Sequence, residues 1–169
     1  MQQVYGGKLV PQPGPTLQPL KTILGAGLLA GFLDGMDAVV AISMIAGVPA
    51  IRVFQFIASG VLGLKAFQGG GATAALGVVL HFTIAIGAAA VFYVLSRMLP
   101  MLLRKPLLWG PVYGIVVFIF MHYLVVPLSA APRQPPAGAI AILNLIFSHV
   151  FFVGIPIALI TSRTAPKPR

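Results

Sequence analysis

Four long apolar runs dominate the chain, each bounded by charged or proline-rich sequence. They cover residues 22–46, 72–95, 107–128 and 138–161. Each is long enough to cross a hydrocarbon core of about 30 Å, which takes about 20 helical residues. Arg97, Arg104, Lys105 and two prolines divide the second run from the third, and SAAPRQPPA divides the third from the fourth. Residues 1–21, with Pro11, Pro13, Pro15 and Pro19 among Gln and Gly, read as an extended tail, and 162–169 as a short basic tail.

The connection between the first two runs carries a pattern of its own. Pro49 is suited to opening a helix, and the apolar stretch that follows is too short for an ordinary crossing. At helical spacing Arg52, Gln55 and Ser59 fall on one face, with Val53, Phe56, Ile57, Val61 and Leu64 on the other. Residues 49–64 therefore read as an amphipathic helix, re-entrant or interfacial, that caps the outer side. Gly69, Gly70 and Gly71 release it into the second run. The expected fold is an all-α membrane protein: four transmembrane helices in a bundle, with an amphipathic outer helix between the first and second.

Composition agrees with this pattern. Hydrophobic residues make up 59% of the chain and charged residues 8%, which is not the balance of a water-soluble domain. Eleven Lys and Arg against two Asp and Glu give a net charge of +9. On so apolar a chain these cations read as topology signals, not as a nucleic-acid face. Lys8, Lys21, Arg97, Arg104, Lys105, Arg163, Lys167 and Arg169 fall on one side of the four runs. Only Arg52, Lys65 and Arg133 fall on the other. The expectation is a multi-pass protein of the bacterial inner membrane with both termini cytoplasmic. The absence of cysteine removes disulfides, thiolate metal sites and iron–sulfur clusters.

Membrane helices associate by close packing, since lipid tails are as apolar as leucine. Gly27, Gly31 and Gly35 form two overlapping GxxxG units on one face of the first run, and Gly110 and Gly114 a third on another. They serve packing within the chain, or a seam for a homodimer or a larger membrane complex.

The remaining ionisable groups lie inside the apolar runs. Asp34 and Asp37 are the only carboxylic side chains, both in the first run. Each costs about 2.5–3.5 kcal/mol near the bilayer centre, and the ten Leu, Ile, Val and Phe residues of that run return roughly 3–6 kcal/mol altogether. Such a helix is marginal alone, so its aspartates must be protonated, paired or turned into a wet interior. His81, His122 and His149 occur one each in the second, third and fourth runs. Counting about 1.5 Å per residue puts Asp34 and His149 within about 2 Å of the midplane. Asp37 and His81 fall about 4 Å, and His122 about 7 Å, toward the outside. If all five face inward they form one polar layer, with Asn144, Ser148 and Thr83 close by and Arg52 reaching it from the outer helix.

RVFQFIASGVLG (Arg52 to Gly63), AFQGGGATAALGVVLHF (Ala66 to Phe82), YGIVVFIFMHYLVVPLSA (Tyr113 to Ala130) and VGIPIAL (Val153 to Leu159) resemble a family of small bacterial inner-membrane proteins, broadly YagU-like. The resemblance covers most of the chain beyond the first twenty residues. It implies a four-helix inner-membrane protein and transfers no activity.

Three functions suit these residues. Intramembrane carboxylates and histidines are the groups of a proton relay or small-solute path, which is the leading expectation. Histidines on facing helices also suit haem or a divalent metal, with His81, His122 and His149 as candidate ligands in an electron-transfer subunit. Small size and glycine faces suit an accessory subunit of a larger membrane complex. HExxH, GxSxG and a phosphate-binding glycine loop are all missing, so an enzyme is not expected.

Overall fold

A computed structural model describes residues 4–5, 8–9, 17–133 and 138–165. In the N-terminal tail, β1 (Val4–Tyr5) pairs antiparallel with β2 (Lys8–Leu9), Val4 opposite Leu9. The prolines at 11, 13 and 15 and the last four residues, Lys167 and Arg169 included, lie outside the described residues.

The first long helix, α1 (Gln18–Ala46), starts four residues before the apolar run because Pro19 sits in its first turn, where a missing N–H costs nothing. Gly47 ends it at φ 65° and donates its N–H to the Ser43 carbonyl, a left-handed cap that glycine adopts without a steric penalty. The Ser43 hydroxyl reaches the Val48 carbonyl at 2.8 Å, so the chain turns back at once. α2 (Ala50–Leu62) follows, continues as a 3-10 segment (Gly63–Gln68), and leads into α3 (Gly70–Met98). A single turn, α4 (Met101–Arg104), buries Leu102 and precedes α5 (Pro106–Phe120).

Among the described residues two helices contain π-helical turns. α5 widens over Met121–Val125 before ending as α6 (Val126–Leu128). The last helix runs as α7 (Ala139–Ser148), widens over His149–Gly154, and finishes as α8 (Ile155–Thr164). Proline explains both. Its ring has no N–H and would clash with the carbonyl four residues back, and for Pro127 and Pro156 those residues are Tyr123 and Phe152, each inside a widened turn.

Among the described residues five helices, where the apolar pattern predicts four, are long and apolar enough to cross a membrane: Gln18–Ile45, Ala50–Gln68, Gly70–Met98, Pro106–Leu128 and Ala139–Thr164. The added one is the segment read as the outer helix, lengthened by its 3-10 turns. Contacts fix the directions of the others. A Cβ built at Gly27, Gly31 or Gly35 would meet Ile86, Phe82 or His81 respectively, so α1 and α3 run antiparallel. Gln18 and Thr22 bond Thr164, and Asp34 bonds Ser148, so α1 also opposes the last helix. Gly110 lies against Ile155 and Gly114 against His149, so α5 opposes it too. The end of α1 and the start of α3 therefore share one end of the molecule. α2 leaves and returns at that end, dipping to the level of Gly77, which packs against the Phe54 carbonyl. Seven residues at about 1.5 Å make that dip about 10 Å below Gly70.

Within this segment Gln55 and Ser59 are buried, while Arg52 on the same face and Val61, Leu62 and Leu64 are exposed. The polar side chains satisfy backbone groups instead. Gln55 Nε2 donates to the Gly70 carbonyl at 3.0 Å and Thr73 Oγ1 to that of Ala66 at 2.6 Å. Outward leucines and valines suit an apolar surrounding, not a polar one.

The core is built from small residues: Ala26, Ala30, Ala89 and Ala158 pack with Phe92, Leu102, Val153 and Ile157. The glycine stripe at 27, 31 and 35 is covered by α3. That face is occupied within the chain, so a second copy could reach it only by displacing α3.

Candidate functional site

The two aspartates are where the last helix meets α1. They are three residues apart on α1, hence neighbours on one face. Asn144 and Ser148 are four apart on α7 and line up opposite. Ser148 Oγ donates to Asp34 Oδ1 at 2.6 Å, and Asn144 Nδ2 donates to Asp37 Oδ2 at 3.0 Å. Ser148 is buried; Asp34, Asp37 and Asn144 are half-buried. Neither carboxylate forms a salt bridge among the described residues. The second oxygen of each has no hydrogen bond among the described residues, yet neither belongs to the sealed polar atoms found there, Gln55 Oε1 and Thr161 Oγ1. Each aspartate therefore holds one oxygen in a neutral hydrogen bond and leaves the other reachable.

A cleft of about 100 Å³ lies beyond Asp37, toward the end of α1, lined by Ala41, Ile42, Ile45, Ala141 and Asn144. Asn144 thus belongs both to the cleft wall and to the Asp37 hydrogen bond. A larger, shallow groove of about 440 Å³ over Val116, Ile119, Phe120, Tyr123 and Leu124 is apolar and faces outward.

The other candidate residues divide into separate places. His81 Nε2 bonds the Gly31 carbonyl at 2.8 Å, which the absent side chain of Gly35, one turn on, leaves accessible: a Cβ there would come within 3.1 Å of the imidazole. His149 Nδ1 pairs with the Leu145 carbonyl of its own helix at 2.9 Å. His122 stacks on Phe118 (5.4 Å, 17°), and His149 meets the same ring edge-on at 5.7 Å. Both histidines therefore sit at π-helical turns around one phenylalanine. Arg52 does not reach this region. It donates to the Phe67 carbonyl at 3.0 Å and lies over the Phe67 ring, bracing the 3-10 segment. Thr83 bonds back to Val79 on its own helix.

The expected layer is thus three groups: an aspartate seam between α1 and α7, His81 between α1 and α3, and His122 with His149 around Phe118. Among the described residues no three His, Asp or Glu side chains gather as a metal site requires. The sequence reading omitted the widened turns, although Pro127 and Pro156 inside apolar runs signal them. No protein-family model, curated protein or solved structure matches the chain.

Proposed function

We propose that this chain is a four-crossing protein of the bacterial inner membrane, both termini cytoplasmic, that conducts protons or a small solute along the aspartate seam. One observation carries the reading: the only two carboxylic side chains sit within a membrane-length helix, face neutral donors of another helix, and form no salt bridge with a cation among the described residues. A structural carboxylate in hydrocarbon normally takes a basic partner, so this arrangement suits groups that gain and lose a proton or a ligand. Support for the crossing number comes from the antiparallel contacts of the four longest helices and from α2 leaving and returning at one end. The lysine and arginine imbalance supports the orientation. The resemblance of the quoted segments to the YagU-like family implies the same four-helix architecture. Access runs from the end opposite the start of α1, through the cleft at Ala41 and Ala141, to Asn144 and Asp37, and then one turn on to Asp34.

The test is flux into proteoliposomes containing a pH-sensitive dye, with a potassium diffusion potential as the driving force. The native chain should dissipate a proton gradient faster than empty vesicles. Asp34→Asn, which keeps an acceptor for Ser148, should reduce the rate to that of empty vesicles with the fold intact. Equal rates for native chain and variant would overturn proton conduction along the seam.

A further inference from the structure

The end of the molecule where α1 begins and α8 ends carries five exposed cations among the described residues. These are Lys21 on α1, Arg97 at the end of α3, Arg104 and Lys105 around α4, and Arg163 at the end of α8. Gln18 and Thr164 hold α1 against α8, and α4 packs on α8 with Leu102 in the core, so these positions share one end. The two aspartates cannot neutralise them: Asp34 is thirteen residues along α1 from Lys21, about 20 Å away.

Two of the cations have a natural use inside the fold. Arg97 and Arg163 sit in the last turns of their helices, where positive charge is favourable. Lys21 and Lys105 are placed the other way. Lys21 is in the first turn of α1 and Lys105 caps the start of α5, and neither first turn contains an acidic residue. A cation at a helix N-terminus adds to a partial positive charge that already exists, so both loci favour an external anion. Long apolar side chains alternate with the charges. Met98 and Leu107 are 72% and 67% exposed, and Met101 and Leu108 about half. A nucleic acid or an acidic soluble protein would leave those side chains in water. The boundary between headgroups and acyl chains accommodates both kinds at once.

We propose that this end, from Arg97 to Leu108 with Lys21 and Arg163, binds anionic phospholipid headgroups in preference to zwitterionic ones. The proposal depends on membrane insertion but not on any role of Asp34 or Asp37. The opposite end provides the contrast: it has fewer cations, and Arg52 there is spent on Phe67.

Trp109, the only tryptophan, lies one turn from Lys105 and reports on this end alone. The full chain would be reconstituted in phosphatidylcholine containing a small fraction of either brominated phosphatidylglycerol or brominated phosphatidylcholine, with the bromines near the headgroup. Quenching of Trp109 should show a preference for phosphatidylglycerol of about fivefold, the worth of one surface cation, and should weaken in high salt. Arg104→Gln with Lys105→Gln should bring the ratio toward one with the helical content unchanged, while Lys65→Gln at the other end should leave it intact. Equal quenching by both lipids in the native chain would overturn the proposal. No quenching by either would overturn it by a different route, removing membrane insertion itself and with it the transport reading.

Discussion

Replacing Ser148 by Ala removes one oxygen atom and tests whether the aspartate seam holds α1 to the last helix. Serines within helices ordinarily bond back to a carbonyl of the preceding turn. Ser59, Ser96 and Ser162 do so, to Phe56, Tyr93 and Leu159. Ser148 instead crosses to Asp34 at 2.6 Å and is only 3% exposed. No other donor among the described residues bonds that carboxylate, so the loss of Ser148 Oγ leaves water from the cleft side to replace it. Interhelical hydrogen bonds in membranes average about 0.6 kcal/mol and reach about 1.7 kcal/mol. A short, buried bond to a carboxyl group belongs in the upper part of that range, about 1–1.7 kcal/mol. Because the volume change is one oxygen, cavity terms contribute little.

A double-mutant cycle isolates this quantity. The native chain, Ser148→Ala, Asp34→Ala and the double variant would be unfolded from mild detergent by titration with sodium dodecyl sulfate, followed by Trp109 fluorescence and circular dichroism. Ser148→Ala should destabilise the native background by about 1–1.7 kcal/mol and cost little where Asp34 is already Ala. An equal loss in both backgrounds, with coupling below about 0.3 kcal/mol, would refute the argument. It would mean that the hydroxyl bonds its own helix, as the other serines do, and that the seam is not polar.

Close packing and topology give two further predictions. Gly114→Ala places a methyl group on the His149 carbonyl and should destabilise the fold by about 1–3 kcal/mol, while Gly87→Ala, with nothing within 4 Å, should be neutral or stabilising in the same titration. The cysteine-free chain also allows single-cysteine labelling: in right-side-out vesicles Lys65→Cys should react with an impermeant maleimide, and Lys21→Cys and Arg163→Cys only after permeabilisation. Labelling of Lys21→Cys and Arg163→Cys from opposite faces would require α2 to cross and would overturn the four-crossing proposal.

The membrane character and the ends of the long helices were legible because both depend on one-dimensional quantities, apolar run length and the positions of Pro, Gly and Lys or Arg. The direction in which a polar side chain points was not legible. Depth along a helix follows from counting residues, but azimuth changes by about 100° per residue, so groups at one level can face different neighbours. His81 and Asp34 illustrate this: His81 turns to the Gly31 carbonyl on the α3 side of α1, and Asp34 to Ser148 on the other. The outer helix shows the same limit: Arg52, Gln55 and Ser59 share a face by spacing, but polarity alone does not say which way that face turns, and Gln55 and Ser59 are buried. In a hydrocarbon solvent the polar face is the one that must turn toward protein, which reverses the rule that holds in water.

The widened turns connect the parts of the seam that counting could not. The turn at His149–Gly154 begins immediately after Ser148, so the residue that bonds Asp34 is the last of α7 before the helix changes pitch. Its far side is pinned where no side chain intervenes, with Gly154 against Gly110 and the His149 carbonyl against Gly114. Glycine at the crossing lets α5 grip the turn by its backbone, and Pro156 keeps the turn from closing into regular helix. The azimuth of Asn144 and Ser148, and hence their aim at Asp37 and Asp34, is set by residues that carry no polar chemistry of their own. The seam is therefore as much a product of Pro156, Gly110, Gly114 and Gly154 as of the four polar side chains that form it.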